Sequence, residues 1–335
     1  MDQAIPINRV SSIEARGLVK RFKDVAALAG VDFAVYAGEL FGFVGPNGAG
    51  KTTAINILCT LLTPTSGTAT VAGFDVASQS FQVRQNIGLV FQDQSLDDYL
   101  TAKENLEFHA ICYDMDSKIV KGRMEELLRM VELWDRKDSL VRTFSGGMKR
   151  RLELARGLMH TPTVLFLDEP TIGLDPHTRR TIWEYIRELR QTSELTIFLT
   201  THYLEEAEGC DRVAIIDHGR IVALDTPEQL KSHVGGDVVT LQTRDNESAM
   251  TLIRDRYGLD AQQVEGSVEF KVQNGGRFIP ELLHNLGESV VSVGLHRPTL
   301  EDVFLQYTGH AIRDEEAEAR DELLARSRYR RGSRI

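Results

Sequence analysis

Gly45-Pro46-Asn47-Gly48-Ala49-Gly50-Lys51-Thr52-Thr53 follows the apolar run Leu40-Phe41-Gly42-Phe43-Val44 and precedes Ala54-Ile55-Asn56-Ile57-Leu58. A buried strand thus feeds a glycine loop, and the loop opens a helix. The spacing is glycine, four residues, then Gly-Lys-Thr, which is the P-loop pattern. Its physical need is a tight turn whose glycines let backbone N–H groups close on phosphate oxygens. The following helix aims its positive end at the same anion. Lys51 is placed to reach β- and γ-phosphates, and the Thr52 hydroxyl to ligate magnesium. An ordinary glycine turn is the plain alternative, and the strand and helix on either side weigh against it.

Other strands of the same kind lie outward from the loop. Thr163-Val164-Leu165-Phe166-Leu167-Asp168-Glu169-Pro170 is an apolar run ending in two carboxylates, as a buried parallel strand does when it opens at the sheet's carboxyl edge. Asp168 is placed there to hold magnesium, and Glu169, expected on the strand's other side, to polarise an attacking water. Leu195-Thr196-Ile197-Phe198-Leu199-Thr200-Thr201-His202 ends in a histidine suited to a γ-phosphate or its water, although a strand-end histidine is more often structural. Ile87-Gly88-Leu89-Val90-Phe91 brings Gln92 to a strand end, a place where capping residues are also common. Phe144-Ser145-Gly146-Gly147-Met148 starts a helix through Leu154, either a second anion-binding terminus or a serine cap with glycines. Upstream, Ile13 to Leu40 reads as antiparallel strands, with Phe22 among Lys20, Arg21 and Lys23, free to stack on a base or buried in the core.

The chain has 335 residues, enough for a main domain and an appendage. A net charge of −10 argues against nonspecific nucleic-acid binding, and no nucleic-acid partner is expected. Cys59, Cys112 and Cys210 are few, odd in number and far apart, which suggests a reducing compartment rather than a zinc site or disulfide framework. No run reaches the roughly 18 to 20 apolar residues of a membrane span, and Met1 to Pro6 lacks a secretory signal pattern. Helical periodicity holds from Thr101 to Leu140, an insertion within the loop-bearing domain. Near Ser232-His233-Val234-Gly235-Gly236 the pattern loosens. Strands at Asp237 to Thr243, Val268 to Val272 and Val290 to Leu295 then alternate with helices at Ala249 to Tyr257 and Ile279 to Leu286. From Arg313 to Arg334 the charged tail reads as a solvated helix or disorder.

Together these motifs, in their order over about Ile13 to Leu230, resemble the nucleotide-binding subunit of an ATP-binding cassette (ABC) transporter. The resemblance implies an α/β P-loop ATPase fold with an antiparallel β subdomain. It places a helical insertion at about residues 95–160, a domain over residues 1–234, a small α+β domain over 235–310 and a tail over 311–335. Gly45 to Thr53 looks like Walker A, Val164 to Glu169 like Walker B with its catalytic glutamate, and Phe22 like the adenine-stacking aromatic. Gln92 resembles the Q-loop glutamine that senses magnesium and meets the membrane partner, Ser145-Gly146-Gly147 the signature, Asp175 the D-loop aspartate and His202 the switch histidine. Phe144 and Met148 stand where the family most often has leucine and glutamine. Arg297-Pro298-Thr299-Leu300-Glu301-Asp302-Val303-Phe304-Leu305 looks like the ending of the daunorubicin-resistance branch.

The resemblance implies ATP and Mg2+ as ligands. Nucleotide contacts fall to Phe22, Gly45, Pro46, Asn47, Gly48, Ala49, Gly50, Lys51, Thr52, Thr53, Gln92, Ser145, Gly146, Gly147 and Asp175. Thr52, Gln92 and Asp168 serve the metal, and Glu169, His202 and Lys51 serve catalysis. It further implies a head-to-tail dimer of two such subunits on a separate integral-membrane permease, at the cytoplasmic face, driving export of a drug-like, lipid or glycan compound. A soluble ABC ATPase of assembly, repair or translation is the alternative, although a second cassette and a long coiled-coil insertion are both missing.

Overall fold

The computed structural model describes residues 10–309 except 193 and 265. The start at Met1 to Pro6 and the tail at Arg313 to Arg334 lie outside the described residues. Contacts divide the rest into two compact units that meet between Leu224 and Asp225.

The first unit opens with β1 (Ser11–Phe22) and β2 (Val25–Tyr36), antiparallel across the turn at Lys23. β3 (Leu40–Val44) is buried along its whole length and delivers the glycine loop to α1 (Lys51–Leu58). β4 (Ser66–Val71) and β5 (Phe74–Asp75) complete a four-stranded sheet in the order β2-β1-β4-β5. α2 (Ser80–Asn86) then leads into β6 (Ile87–Val90).

A helical stretch comes next: α3 (Ala102–Cys112), α4 (Ser117–Met130) and α5 (Gly146–Gly157). α3 begins in a capping box, in which Thr101 N–H donates to Glu104 Oε2 at 2.7 Å and Glu104 N–H to Thr101 Oγ1 at 3.2 Å. Buried Asn105 exchanges hydrogen bonds with the backbone of Asp97, which fixes the approach from β6 to this helix. The chain returns through β7 (Val164–Asp168), α6 (Pro176–Thr192), β8 (Thr196–Thr201) and the short α7 (Leu204–Ala207). The hairpin of β9 (Arg212–Asp217) and β10 (Arg220–Asp225) closes the unit.

Six strands form the second sheet, in the order β10-β9-β3-β8-β7-β6. Its central strands are parallel, and β3, β7 and β8 are buried along their whole length because both faces are covered. Phe33 of β2, Phe43 of β3 and Phe198 of β8 meet with ring centroids 5.4 to 5.9 Å apart, joining the two sheets in one core. Each such ring contributes about 1.5–3 kcal/mol by leaving water. The register aligns the strand ends: Val44 pairs with Thr201, Asp168 with Thr200, and Val90 with Leu167. The residues just past these strands therefore gather at one carboxyl edge.

The second unit holds α8 (Pro227–His233), β11 (Asp237–Thr243), α9 (Asn246–Tyr257), β12 (Ala261–Val264), β13 (Ser267–Val272), α10 (Gly275–Leu286), β14 (Val290–His296) and α11 (Leu300–Thr308). Its sheet runs β12-β13-β11-β14 with antiparallel neighbours, which is the split βαβ arrangement of a β-α-β-β-α-β unit. Val239, Leu241, Ile253, Phe270 and Leu282 form its separate core. The unit begins ahead of the loosened stretch at Ser232 to Gly236, because Thr226 caps α8 and α8 packs on α11.

Candidate nucleotide site

The glycine loop is shaped by what crowds it. A Cβ at Gly45 would stand 2.1 Å from the Ile216 carbonyl oxygen, and one at Gly50 would stand 2.4 Å from that of Ala27. Gly50 also has φ +112, a region closed to most side chains. It caps α1 without any side-chain acceptor, and the first turn of α1 carries no acidic residue. The N–H groups at that end are thus left for an outside anion, with the helix dipole behind them. Pro46, Ala49 and Gly50 are buried, whereas Asn47, Gly48 and Thr52 are exposed and Thr53 half-buried.

Lys51 is buried, and its ammonium donates to the carbonyls of Gly45 at 2.8 Å and Pro46 at 3.0 Å. It also pairs with Glu169 Oε1 at 3.2 Å. The other oxygen of that carboxylate, Oε2, lies 3.1 Å from His202 Nδ1, which donates to it. Lys51, Glu169 and His202 therefore form one contiguous chain. Glu169 is not on the strand's opposite face, as side-chain alternation along the strand predicts. It falls one residue past β7, in left-handed backbone with φ 46, which turns its carboxylate toward Lys51. Burial raises the Glu169 carboxyl, but the His202 hydrogen bond and the Lys51 charge outweigh it and leave the group below its ordinary value.

Asp168 behaves oppositely. Burial lifts its carboxyl above the ordinary value; the Thr200 hydrogen bond opposes this, and neighbouring Glu169 adds to it. Thr200 Oγ1 donates to Asp168 Oδ1 at 2.5 Å and accepts from the Glu169 N–H at 3.1 Å, so one hydroxyl holds the Asp168 carboxylate and the Glu169 backbone. The Thr52 hydroxyl is a further hydrogen-bond partner of Asp168. A hydroxyl beside a buried carboxylate is an oxygen set that suits a hard divalent cation such as magnesium.

Phe22 ends β1 with 47% of its surface exposed and Lys20 Nζ 5.2 Å from its ring centroid. That exposure decides against the core alternative. Gln92 lies in an exposed bend two residues past β6, at the same sheet edge as Glu169.

Ser145, Gly146 and Gly147 form a second cluster. Ser145 is exposed and caps α5, accepting from Met148 N–H at 3.2 Å. A Cβ on Gly147 would fall 2.6 Å from Thr178 Cγ2. Thr178 in turn donates to Asp175 Oδ2 at 2.6 Å, and Asp175 also accepts from the Thr178 and His177 N–H groups. The Thr178 hydroxyl and N–H bonds hold the exposed Asp175 below its ordinary pKa. Among the described residues, no hydrogen bond joins Ser145, Gly146 or Gly147 to the glycine loop. The structure brings Gly147 and Asp175 together through Thr178, and among the described residues neither Ser145 nor Asp175 is hydrogen-bonded to Lys51, Glu169 or His202.

Residues 28–172 match the family described as ABC transporter, and residues 226–308 match the ATP-binding protein DrrA1-3-like C-terminal domain. The daunorubicin resistance ATP-binding protein DrrA2 of Streptomyces coeruleorubidus is 41% identical over 315 residues, covering 91% of this chain and 98% of its own. The linearmycin resistance ATP-binding protein LnrL of Bacillus subtilis is 35% identical over 90% of this chain and 100% of its own. The Nod factor export ATP-binding protein I of Ralstonia nicotianae is 38% identical over 90% and 95%. Among solved structures, an ATP-binding subunit of an ABC transporter superposes with a TM-score of 0.61 at 29% identity, over 67% of this chain and 93% of that one. A dimeric post-hydrolysis ATP-binding cassette bound to ADP and phosphate gives 0.58 at 27%, over 64% and 98%. With relatives this similar along most of its length, and a P-loop lysine joined to a strand-end glutamate and histidine, the chain belongs to the ATP-binding cassette transporter family as an ATP-hydrolysing subunit.

Proposed function

We propose that two copies of this chain bind two ATP molecules head to tail, each between one copy's glycine loop and the other's Ser145-Gly146-Gly147. The observation that carries this reading is the separation of the two clusters. Lys51, Glu169 and His202 sit at the sheet's carboxyl edge, while Ser145 and Asp175 are exposed elsewhere. A site divided in this way is completed by a second molecule.

In the completed site, Gly45 to Thr53 cradle the phosphates and Lys51 takes the β- and γ-oxygens, while Phe22 stacks on adenine. Glu169, ionised and hydrogen-bonded to His202, orients the attacking water and accepts its proton; His202 fixes that carboxylate beside the γ-phosphate. Magnesium supplies charge neutralisation on the phosphates, and Thr52, Asp168 and Gln92 are the residues that would hold it.

No helix among the described residues is long and apolar enough to cross a membrane. We place the chain on a separate integral-membrane permease at the cytoplasmic face of the membrane. There ATP-driven closure of the dimer powers export of a drug-like, lipid or glycan compound. The drug-resistance and Nod factor export names of its relatives support that direction. The test combines Glu169→Gln with Ser145→Arg. Glu169→Gln is expected to run as a dimer in gel filtration with ATP, and the double variant as a monomer with unchanged ATP affinity. A Glu169→Gln chain that stays monomeric with ATP bound overturns the dimer. Co-purification of a multispanning protein from detergent-solubilised host membranes tests the permease, and recovery of soluble partners alone overturns transport.

A further inference from the structure

Arg150 lies one turn into α5, the helix that begins at Ser145-Gly146-Gly147, and it is buried to 7% exposure. A buried guanidinium needs several acceptors. Arg150 finds them in backbone carbonyls around the catalytic edge: Nε donates to Pro170 O at 2.7 Å, and Nη2 to Asp168 O at 3.1 Å and Glu169 O at 3.2 Å. Nη1 donates to Phe91 O, immediately before Gln92, and to Glu153 Oε2 at 3.0 Å. Glu153, fully buried, uses its other oxygen to accept the Ser95 N–H at 2.7 Å, and Arg156 binds the Ser95 carbonyl at 2.7 Å. One side chain thus fastens three consecutive carbonyls on either side of the left-handed Glu169 and also grips the segment leading from β6. The planar fork of arginine can do this at once; a lysine ammonium of the same charge cannot.

We propose that Arg150 is a positioning residue, which sets the Glu169 carboxylate and the start of the Gln92 loop in one frame with the signature helix. The argument has two parts. Glu169 stands in left-handed backbone that persists only where its surroundings over-determine it, and the Arg150 bonds to the carbonyls of Asp168, Glu169 and Pro170 join the Thr200 contacts to the Glu169 N–H in doing so. The same guanidinium is rigidly part of α5, so a displacement of the Ser145 end carries these carbonyls with it. Arg150 touches neither the glycine loop nor the Lys51 ammonium among its bonds, so it acts on the base and leaves the phosphate cradle alone. The proposal rests on Glu169 as the base.

The test uses the full chain with Arg150→Lys, and Glu169→Gln alongside. Binding of magnesium AMP-PNP is measured by equilibrium dialysis for affinity and sites per chain, and ATP hydrolysis for kcat and KM. Arg150→Lys is expected to keep one site per chain, with affinity and KM within about twofold. Its kcat should fall about tenfold or more, since an ångström of misplacement at a reacting group costs up to about a hundredfold. A kcat within about twofold of the unaltered chain overturns the proposal. So does a kcat that falls only in step with the number of binding sites, because that loss is unfolded protein. Should Arg150→Lys fail to fold, the pair Arg150→Met with Glu153→Leu, which leaves no lone buried charge, is read by the same criteria. Undiminished turnover in Glu169→Gln sinks the base assignment itself; an inactive Glu169→Gln beside a fully active Arg150→Lys sinks the Arg150 proposal alone.

Discussion

Thr200→Val deletes one hydroxyl while nearly conserving volume, at the point where the Asp168 carboxylate and the Glu169 backbone N–H are held. Thr200 is fully buried and donates to Asp168 Oδ1 at 2.5 Å. The Glu169 N–H that it accepts has the Thr200 carbonyl as a second acceptor, also at 3.1 Å, so that group is not orphaned. The cost therefore falls on Asp168. A hydrogen bond to a charged group contributes about 1.5–3 kcal/mol, so about 2 kcal/mol is lost. In a unit of this size that lowers Tm by about 4–8 °C. The pH dependence has a definite sign. Burial already raises the Asp168 carboxyl and Thr200 restrains it; a carboxyl raised on folding stabilises the fold below its unfolded value and loses this as pH rises through the folded value. Valine removes the restraint and moves that window upward. Thermal unfolding followed by circular dichroism at about pH 8 and about pH 5 is the assay, with kcat measured at the higher pH. The Tm deficit of the variant should be full at the higher pH and smaller at the lower, where Asp168 is closer to neutral. Equal Tm values at the higher pH, or a deficit independent of pH, would refute the idea that this hydroxyl holds the charged carboxylate.

Other substitutions probe other parts of the site. Glu169→Gln should bind ATP with affinity within about twofold and lose turnover by about a hundredfold or more, read by single-turnover hydrolysis. Phe22→Ala removes a stacking surface worth about 1–3 kcal/mol; ATP affinity should fall about tenfold, while affinity for inorganic tripolyphosphate, which has no base, stays constant. Gly50→Ala forces a Cβ to 2.4 Å from the Ala27 carbonyl at φ +112 and should abolish nucleotide binding in equilibrium dialysis. His109 is pushed from 6.5 to about 3, first by burial and then by the neighbouring His160. Depressed on folding, it contributes stability that is present above 6.5 and is lost as pH falls toward 3. Urea unfolding of the unaltered chain should weaken over that interval by at most about 1.4 kcal/mol per pH unit for this group, and His109→Gln should flatten the slope.

Continuous apolar runs make the parallel strands legible, since burial on both faces leaves little room for polar residues along β3, β7 and the Ile197-Phe198-Leu199 centre of β8. The glycine loop carries its own spacing. Arg150 is not legible: within Met148-Lys149-Arg150-Arg151 it reads as one cation on a solvated helix. Only the carbonyls of two distant segments show what it faces. The signal available is a Glu153 three residues on, amid the buried Leu152, Leu154 and Ala155. Glu169 stands out as a candidate by its place after an apolar run, but the alternation that would set its direction ends with β7; a positive φ leaves no mark in a glutamate's identity. Phe22 cannot be sorted between core and surface by composition. In the second unit, Ala261-Gln262-Gln263-Val264 is a polar edge strand, and without it the β-α-β-β-α-β order stays hidden.

The ammonium of Lys51 already has ligands of its own: two loop carbonyls and Glu169. On the proposed roles, nucleotide capture is an exchange reaction in which phosphate oxygens displace internal ligands. A nucleoside monophosphate or an uncharged nucleoside offers too little negative charge at that spot to compensate for the contacts given up. The loop therefore discriminates by charge more steeply than by shape. The exchange also orders events in time. While Lys51 pairs with Glu169, the carboxylate is masked; transfer of the lysine to a triphosphate unmasks it beside the phosphate whose attacking water it is to orient. After the phosphates depart, the same lysine closes back onto Glu169, so the pair works as a latch that the substrate itself opens.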